Sequence, residues 1–176
     1  ALVEKSRWEQ KAREFDYSRL AEMESASIIY DRSGAVLGRI FIQNRDQVPY
    51  EEISPHLITA VIAGEDARYY RHHGWDWYGL TRAVVNNLKA KRAKQGASTI
   101  TQQLARNTFP TQRPPNDRSV QRKILEIFVA REIENRLNKK QILELYLNRV
   151  FFGSGFYGAE AAARGYFGKR AKDLTL

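Results

Sequence analysis

Residues 64–76, GEDARYYRHHGWD, bring the carboxylates Glu65 and Asp66 within a few positions of Arg68, Arg71, His72 and His73. Metal ligation, a charged helix end and acid/base chemistry all draw on such residues. His72 and His73 are adjacent, so on a helix their side chains diverge by about 100° and do not face one ion. Asp66 and His72 converge only if the chain between them turns unusually. Acid/base chemistry fits better. Glu65 closes the apolar run LITAVIAG (57–64), and burial in such company disfavours a charged carboxylate, which is how proteins tune a carboxyl for proton transfer near neutral pH. The plain structural alternative is a surface Glu65 paired with Arg68.

Glu126, in RKILEIFVA, is the second candidate carboxylate, with Arg122 one turn earlier. Taken alone, an Arg122–Glu126 pair is an ordinary helix-surface contact worth a few tenths of a kcal/mol. A third segment, GASTITQQLARN (96–107), follows a glycine with hydroxyls, two amides and a guanidinium. Free N–H groups at a helix start, together with Ser98, Gln102, Gln103, Arg106 and Asn107, suit a polyanion or a sugar. A capped helix would account for Ser98 but not for the paired glutamines.

The elements that must position these groups are mostly helical. Ser54-Pro55 is a helix start, with Ser as cap and Pro at the first helical position. Residues 57–64 read as a buried helix, 76–94 as an amphipathic one, and 98–109 as a short one behind Gly96. Residues 118–137 form a long helix with Ile124, Ile127, Phe128 and Ile133 on one stripe. Asn138 and Gln141 resemble a capping box opening QILELYLNRV, GSGFYG (153–158) breaks the chain, and AEAAARGYFG returns to helix with small residues for close packing. ASIIYDRSGAVLGRIFI (26–42) carries the one strand signal, a hairpin turning at Asp31–Gly34. The proline-rich stretch 108–117 is a loop between helices. Residues 1–25 read as a linker or peripheral helix, and 26–176 as the functional domain.

Composition narrows the classes further. The 176 residues are 43% hydrophobic with a formal net charge of +9 and no cysteine. Disulfide scaffolds and thiol chemistry are excluded, and an anionic partner is favoured: nucleic acid, a phosphate-bearing substrate or an anionic membrane. No window reaches the roughly 20 apolar residues of a membrane span, and no signal peptide is visible.

In combination, three ordered segments resemble the peptidoglycan glycosyltransferases of family 51, found in class A penicillin-binding proteins and monofunctional transglycosylases. They are Glu65-Asp66-x-x-Tyr69-x-x-His72-x-Gly74, with Tyr69 where the family has Phe; Gly96-x-Ser98-Thr99-Ile100-Thr101-Gln102-Gln103-Leu104-x-Arg106-Asn107, with Arg106 where Lys is usual; and Arg122-Lys123-x-x-Glu126. Residues 142–148 and 155–169 are also close to family text, and the resemblance covers about 26–176.

The resemblance implies a mainly α, lysozyme-like domain with a small N-terminal β-hairpin. It implies polymerisation of lipid II onto a growing lipid-linked glycan, with β-1,4 links between MurNAc and GlcNAc and release of undecaprenyl pyrophosphate. Glu65 corresponds to the catalytic base, and Glu126 to a second acidic residue in a supporting role. Arg106 and Arg118 correspond to cations on the donor side. Arg82, Ser98, Gln102, Gln103, Asn107 and Arg122 are expected to contact sugar or phosphate, while His72 and Gly74 hold the loop after the base. No cofactor is required, although a divalent cation such as magnesium could bridge carboxylate and pyrophosphate; the residues offer no metal cage. The expected partners are lipid II, the bacterial membrane surface through Phe109, Pro110 and the loop after them, and a fused transpeptidase domain, the hairpin favouring a piece of a bifunctional enzyme. The expected location is the outer face of the cytoplasmic membrane.

A lysozyme-like glycan-cleaving enzyme would share the catalytic Glu, but it has no pyrophosphate for the Ser-Thr-Ile-Thr-Gln-Gln stretch to hold. A basic nucleic-acid-binding module would account for the charge, but it would need a docking motif that is absent. A catalytically dead scaffold would lose Glu65 or the phosphate-side cations.

Overall fold

The computed structural model describes residues 2–22, 27–34, 36–40, 46–82, 98–109 and 120–176. Arg118, Pro110 with the loop after it, Gly96 and most of the helix expected over 76–94 lie outside these residues. The class is mainly α, as a lysozyme-like domain requires. In chain order the elements are α1 (Leu2–Arg13), β1 (Ser27–Tyr30), β2 (Val36–Ile40), α2 (Pro55–Glu65), α3 (described over 77–82), α4 (Ile100–Thr108), α5 (Val120–Arg136), α6 (Lys139–Leu147), β3 (Phe151–Gly153), β4 (Phe156–Tyr157) and α7 (Ala159–Phe167).

Two compact units form, one from 1–17 and 59–142, the other from 18–58 and 143–176. In the first, α5 packs against both α1 and α4. Its buried line is Glu126, Val129, Ala130 and Ile133, while Ile124, Ile127 and Phe128 are only half-buried. The inward stripe is therefore rotated from the expected one, and it carries a carboxylate. Ala12 of α1 is fully buried, and Arg13 reaches Glu132 at 3.7 Å, so α1 packs on this unit. Phe109 is also buried, edge-on to Phe15 and Tyr17 at 5.2 and 5.4 Å. It is core, which removes it from the expected membrane patch. Beside it, burial and then the charge of Glu132 push the Tyr17 phenol up to about 12, against the opposing effect of Arg136. The capping box at α6 is reciprocal: Asn138 N donates to Gln141 Oε1, and Gln141 N to Asn138 Oδ1, each at 2.9 Å.

The second unit holds the antiparallel β1–β2 hairpin. Its turn is tied by Ser33 N donating to Asp31 Oδ1 at 2.8 Å, and Gly34 takes the positive φ of 85°. A second small hairpin, β3–β4, stands where the sequence read only a break; its turn takes positive φ at Gly153, Ser154 and Gly155. Ser54 caps α2 through His56 N at 3.2 Å and donates to Leu174 O at 2.6 Å. Of the apolar helix α2 only Ile58 is buried, and its last three residues are exposed, so the expectation of a buried helix fails. The small face of α7 packs as expected, with Ala159, Ala161, Ala162 and Ala163 buried.

Asn148, only 2% exposed, ties an extended segment to α6. Its Oδ1 accepts from Val48 N at 2.9 Å, and its Nδ2 donates to Val48 O at 2.7 Å and Glu144 O at 3.0 Å. Asn148→Ala strips three partners from buried groups and is expected to lower stability by about 2 kcal/mol, read as a shifted midpoint in urea unfolding.

Candidate functional site

Glu65 is the last residue of α2, and Asp66 continues the turn, its N donating to Ile62 O at 2.9 Å. The two carboxylates then part. Asp66 is buried and Glu65 exposed, because adjacent side chains diverge. Asp66 meets His72 after all: a turn through the short 3-10 helix Tyr69–Arg71 brings His72 Nε2 to 2.9 and 3.0 Å from the two carboxylate oxygens. Oδ2 also accepts from Ile100 N at 3.1 Å. The carboxylate thus takes an orphan N–H in the first turn of α4, where negative charge is favoured.

Tyr69, in place of the family's Phe, is fully buried. Its additional hydroxyl donates to Lys139 O at 2.8 Å, so the departure leaves no unsatisfied polar group there. Gly74 has φ 81°, and a Cβ there would lie 2.9 Å from the Ala130 carbonyl carbon and the Arg131 N of α5. The loop after Glu65 consequently rests directly on that helix. Thr99 locks it further, its Oγ1 donating to Gly74 O at 2.7 Å and accepting from Gln102 N at 3.2 Å. Thr99 is the α4 cap, which leaves Ser98 for another task.

The two glutamines work on different faces of α4. Gln103 Nε2 donates to Glu65 Oε2 at 2.7 Å, whereas Gln102 Oε1 accepts from Lys123 Nζ at 2.8 Å. Lys123 also donates to Ser98 Oγ at 2.8 Å and to Glu126 Oε2 at 3.3 Å. Glu126 is buried, with Arg122 Nε 3.4 Å from its other oxygen. Burial lowers the Lys123 ammonium below its ordinary range; Glu126 opposes the shift, and Arg106 and Arg122 add to it.

Several expectations change here. Glu65 is exposed, and Arg68 pairs with Asp76 at 3.0 Å and lies over the Tyr78 ring; the Gln103 amide is the partner of Glu65 instead. Gln103 is turned to Glu65, and Gln102 and Ser98 to a lysine. Lys123 itself was missed as a site residue, although it lies three residues before Glu126 and so shares its side of the helix. Arg82, Arg106 and Asn107 are exposed. Among the described residues no three of His, Cys, Asp and Glu gather to hold a metal. Both Glu126 oxygens face cations, Arg122 and Lys123.

An exposed base candidate, a buried acid clamped by cations and a helix joining them form one constellation on the three segments singled out in the sequence. The Transglycosylase family profile matches residues 33–176. The chain belongs to the transglycosylase family. Among curated proteins it is 46% identical to penicillin-binding protein 1A of Vibrio cholerae over 158 residues, 90% of this chain and 19% of that protein. To the Aquifex aeolicus penicillin-binding protein 1A it is 46% identical over 151 residues, 86% of this chain and 20% of the relative. With penicillin-binding protein 4 of Bacillus subtilis it shares 40% over 152 residues, 85% of the chain and 24% of the relative. This transglycosylase chain therefore spans about a fifth of the length of the first two.

Asp66→Ala removes the shared acceptor of His72 and the α4 N-terminus. It is expected to cost about 3 kcal/mol by urea unfolding, a larger loss than for substitutions at exposed Arg82.

Proposed function

We propose that the chain is a peptidoglycan glycosyltransferase domain that extends a lipid-linked glycan with lipid II. The observation that carries this is the division of labour on α4, where Gln103 holds Glu65 and the neighbouring Gln102 reaches the cations around Glu126. A sugar hydroxyl is a poor nucleophile and needs a base as it attacks, whereas a diphosphate leaving group needs its developing charge stabilised. One helix turn serving an exposed carboxylate on one side and a cationic cluster on the other suits this pair of tasks.

In the proposed reaction Glu65 accepts the proton of the lipid II GlcNAc 4-hydroxyl as its oxygen bonds to the anomeric carbon of the growing chain. The bond from that carbon to the undecaprenyl pyrophosphate oxygen breaks, and its electron pair leaves with the diphosphate. Arg106, Arg82 and Arg118 are assigned to diphosphate charge. Glu126 keeps its supporting role, since a buried carboxylate between Arg122 and Lys123 is suited to holding cations in place. The +9 charge supports anionic lipid substrates.

The membrane contact moves from Phe109 to the loop after Glu65 and the start of α3. Tyr70, Trp75, Trp77 and Tyr78 are 62%, 40%, 63% and 50% exposed, and amphipathic rings of this kind favour the interfacial zone of a bilayer. Arg71 and Arg82, also exposed, suit anionic headgroups. No helix among the described residues is long and apolar enough to cross a membrane. A fused transpeptidase domain and a place on the outer face of the cytoplasmic membrane complete the proposal, in keeping with relatives named as penicillin-binding proteins.

In detergent, the parent chain is expected to make long glycan from lipid II. Glu65→Gln should make none while still binding a lipid-pyrophosphate analogue; a polymerising Glu65→Gln would remove Glu65 from the role of base. Replacing Trp75 and Trp77 together by Ala should weaken sedimentation with anionic phospholipid vesicles by about tenfold, with the unfolding midpoint unchanged.

A further inference from the structure

Lys123 has three N–H donors and no acceptor, and Ser98 Oγ, Gln102 Oε1 and Glu126 Oε2 take one each. The Gln102 amide is the sensitive member of the set. It is only 3% exposed, so water does not readily replace Lys123 at its oxygen, and a buried acceptor without a partner is costly enough to move the turn that carries it. That turn also carries Gln103, whose Nε2 reaches Glu65. The Lys123 side chain is 38% exposed, so solvent can exchange its proton.

We infer that Lys123 is a positioning residue for Glu65, acting through Gln102 and the first turn of α4, which also carries Gln103. The inference rests on Glu65 being the base. Charged, Lys123 fixes the Gln102 amide, and the turn holds Gln103 against Glu65. Losing its proton, it has two N–H groups for three acceptors and no charge to offset Glu126. The turn then relaxes at its Gln102 side, although Asp66 and Thr99 still hold its start. The charged groups facing Lys123 are Glu126 and Arg122 on its own helix and Arg106 on α4. Burial dominates the net effect, so its proton is lost below the ordinary lysine range.

The test compares the full chain with Lys123→Met and Lys123→Arg. The side-chain NH2 resonances of Gln103 are followed by 15N NMR from neutral to alkaline pH, and kcat and KM for lipid II are measured across the same range. In the parent and in Lys123→Arg at neutral pH, the Gln103 NH2 group should be protected from exchange with water. Lys123→Met should lose that protection at every pH with its backbone spectrum otherwise folded. Its kcat should fall by about 30-fold or more with KM within about threefold. The parent should lose protection and kcat together on raising the pH, and Lys123→Arg, whose guanidinium does not titrate there, should keep both. Gln103 protection unchanged in Lys123→Met, or an alkaline limb identical in Lys123→Arg, overturns the inference and leaves the proposed activity standing. A parent that makes no glycan overturns the proposed activity, and the Gln103 resonances still decide the link from Lys123.

Discussion

The structure of the site depends on one buried carboxylate. Asp66 follows Glu65 directly, and its two oxygens take up a histidine from the loop ahead and a backbone N–H of α4. A buried charge is tolerated only when its bonds are made. Here the bonds it makes tie the end of α2 to the loop six residues on and to the start of α4, 34 residues on. Glu65 inherits its place from this neighbour, since one residue of separation puts it on the opposite, exposed side.

From that anchor the rest of the site follows by contact. Gly74 lets the loop lie against the backbone of α5 because it has no Cβ to hold it away. Thr99 ties the same glycine to the start of α4. On α4, consecutive glutamines diverge around the helix and reach different partners. The cations beside Glu126 are held from α5, whose buried line includes that carboxylate. Burial of Glu126 is sustained by Lys123 and Arg122, neither of which would occupy such a place without it.

Much of the fold was legible in the sequence because its signals are local. The Asn138–Gln141 box, the Asp31–Gly34 turn and the Ser54-Pro55 helix start each depend on a few neighbouring residues, and each appears as read. The misreadings concern exposure. The apolar run of α2 looked like core, yet only Ile58 is buried, and Phe109 looked like a membrane contact, yet Phe15 and Tyr17 enclose it. Hydrophobicity says that a side chain gains from being covered; it does not say which neighbours are there to cover it.

The sequence by itself determined the helical class, the family and the residue types of the site, since motif spacing and capping chemistry are properties of the chain. Only the tertiary structure decided who meets whom. His72 reached Asp66 through a turn that periodicity does not encode, Gln103 turned to Glu65, and Lys123 joined Ser98 and Gln102. Hydrogen bonds between residues 21 to 38 positions apart are set by the packing of helices against one another, and no local pattern carries that information.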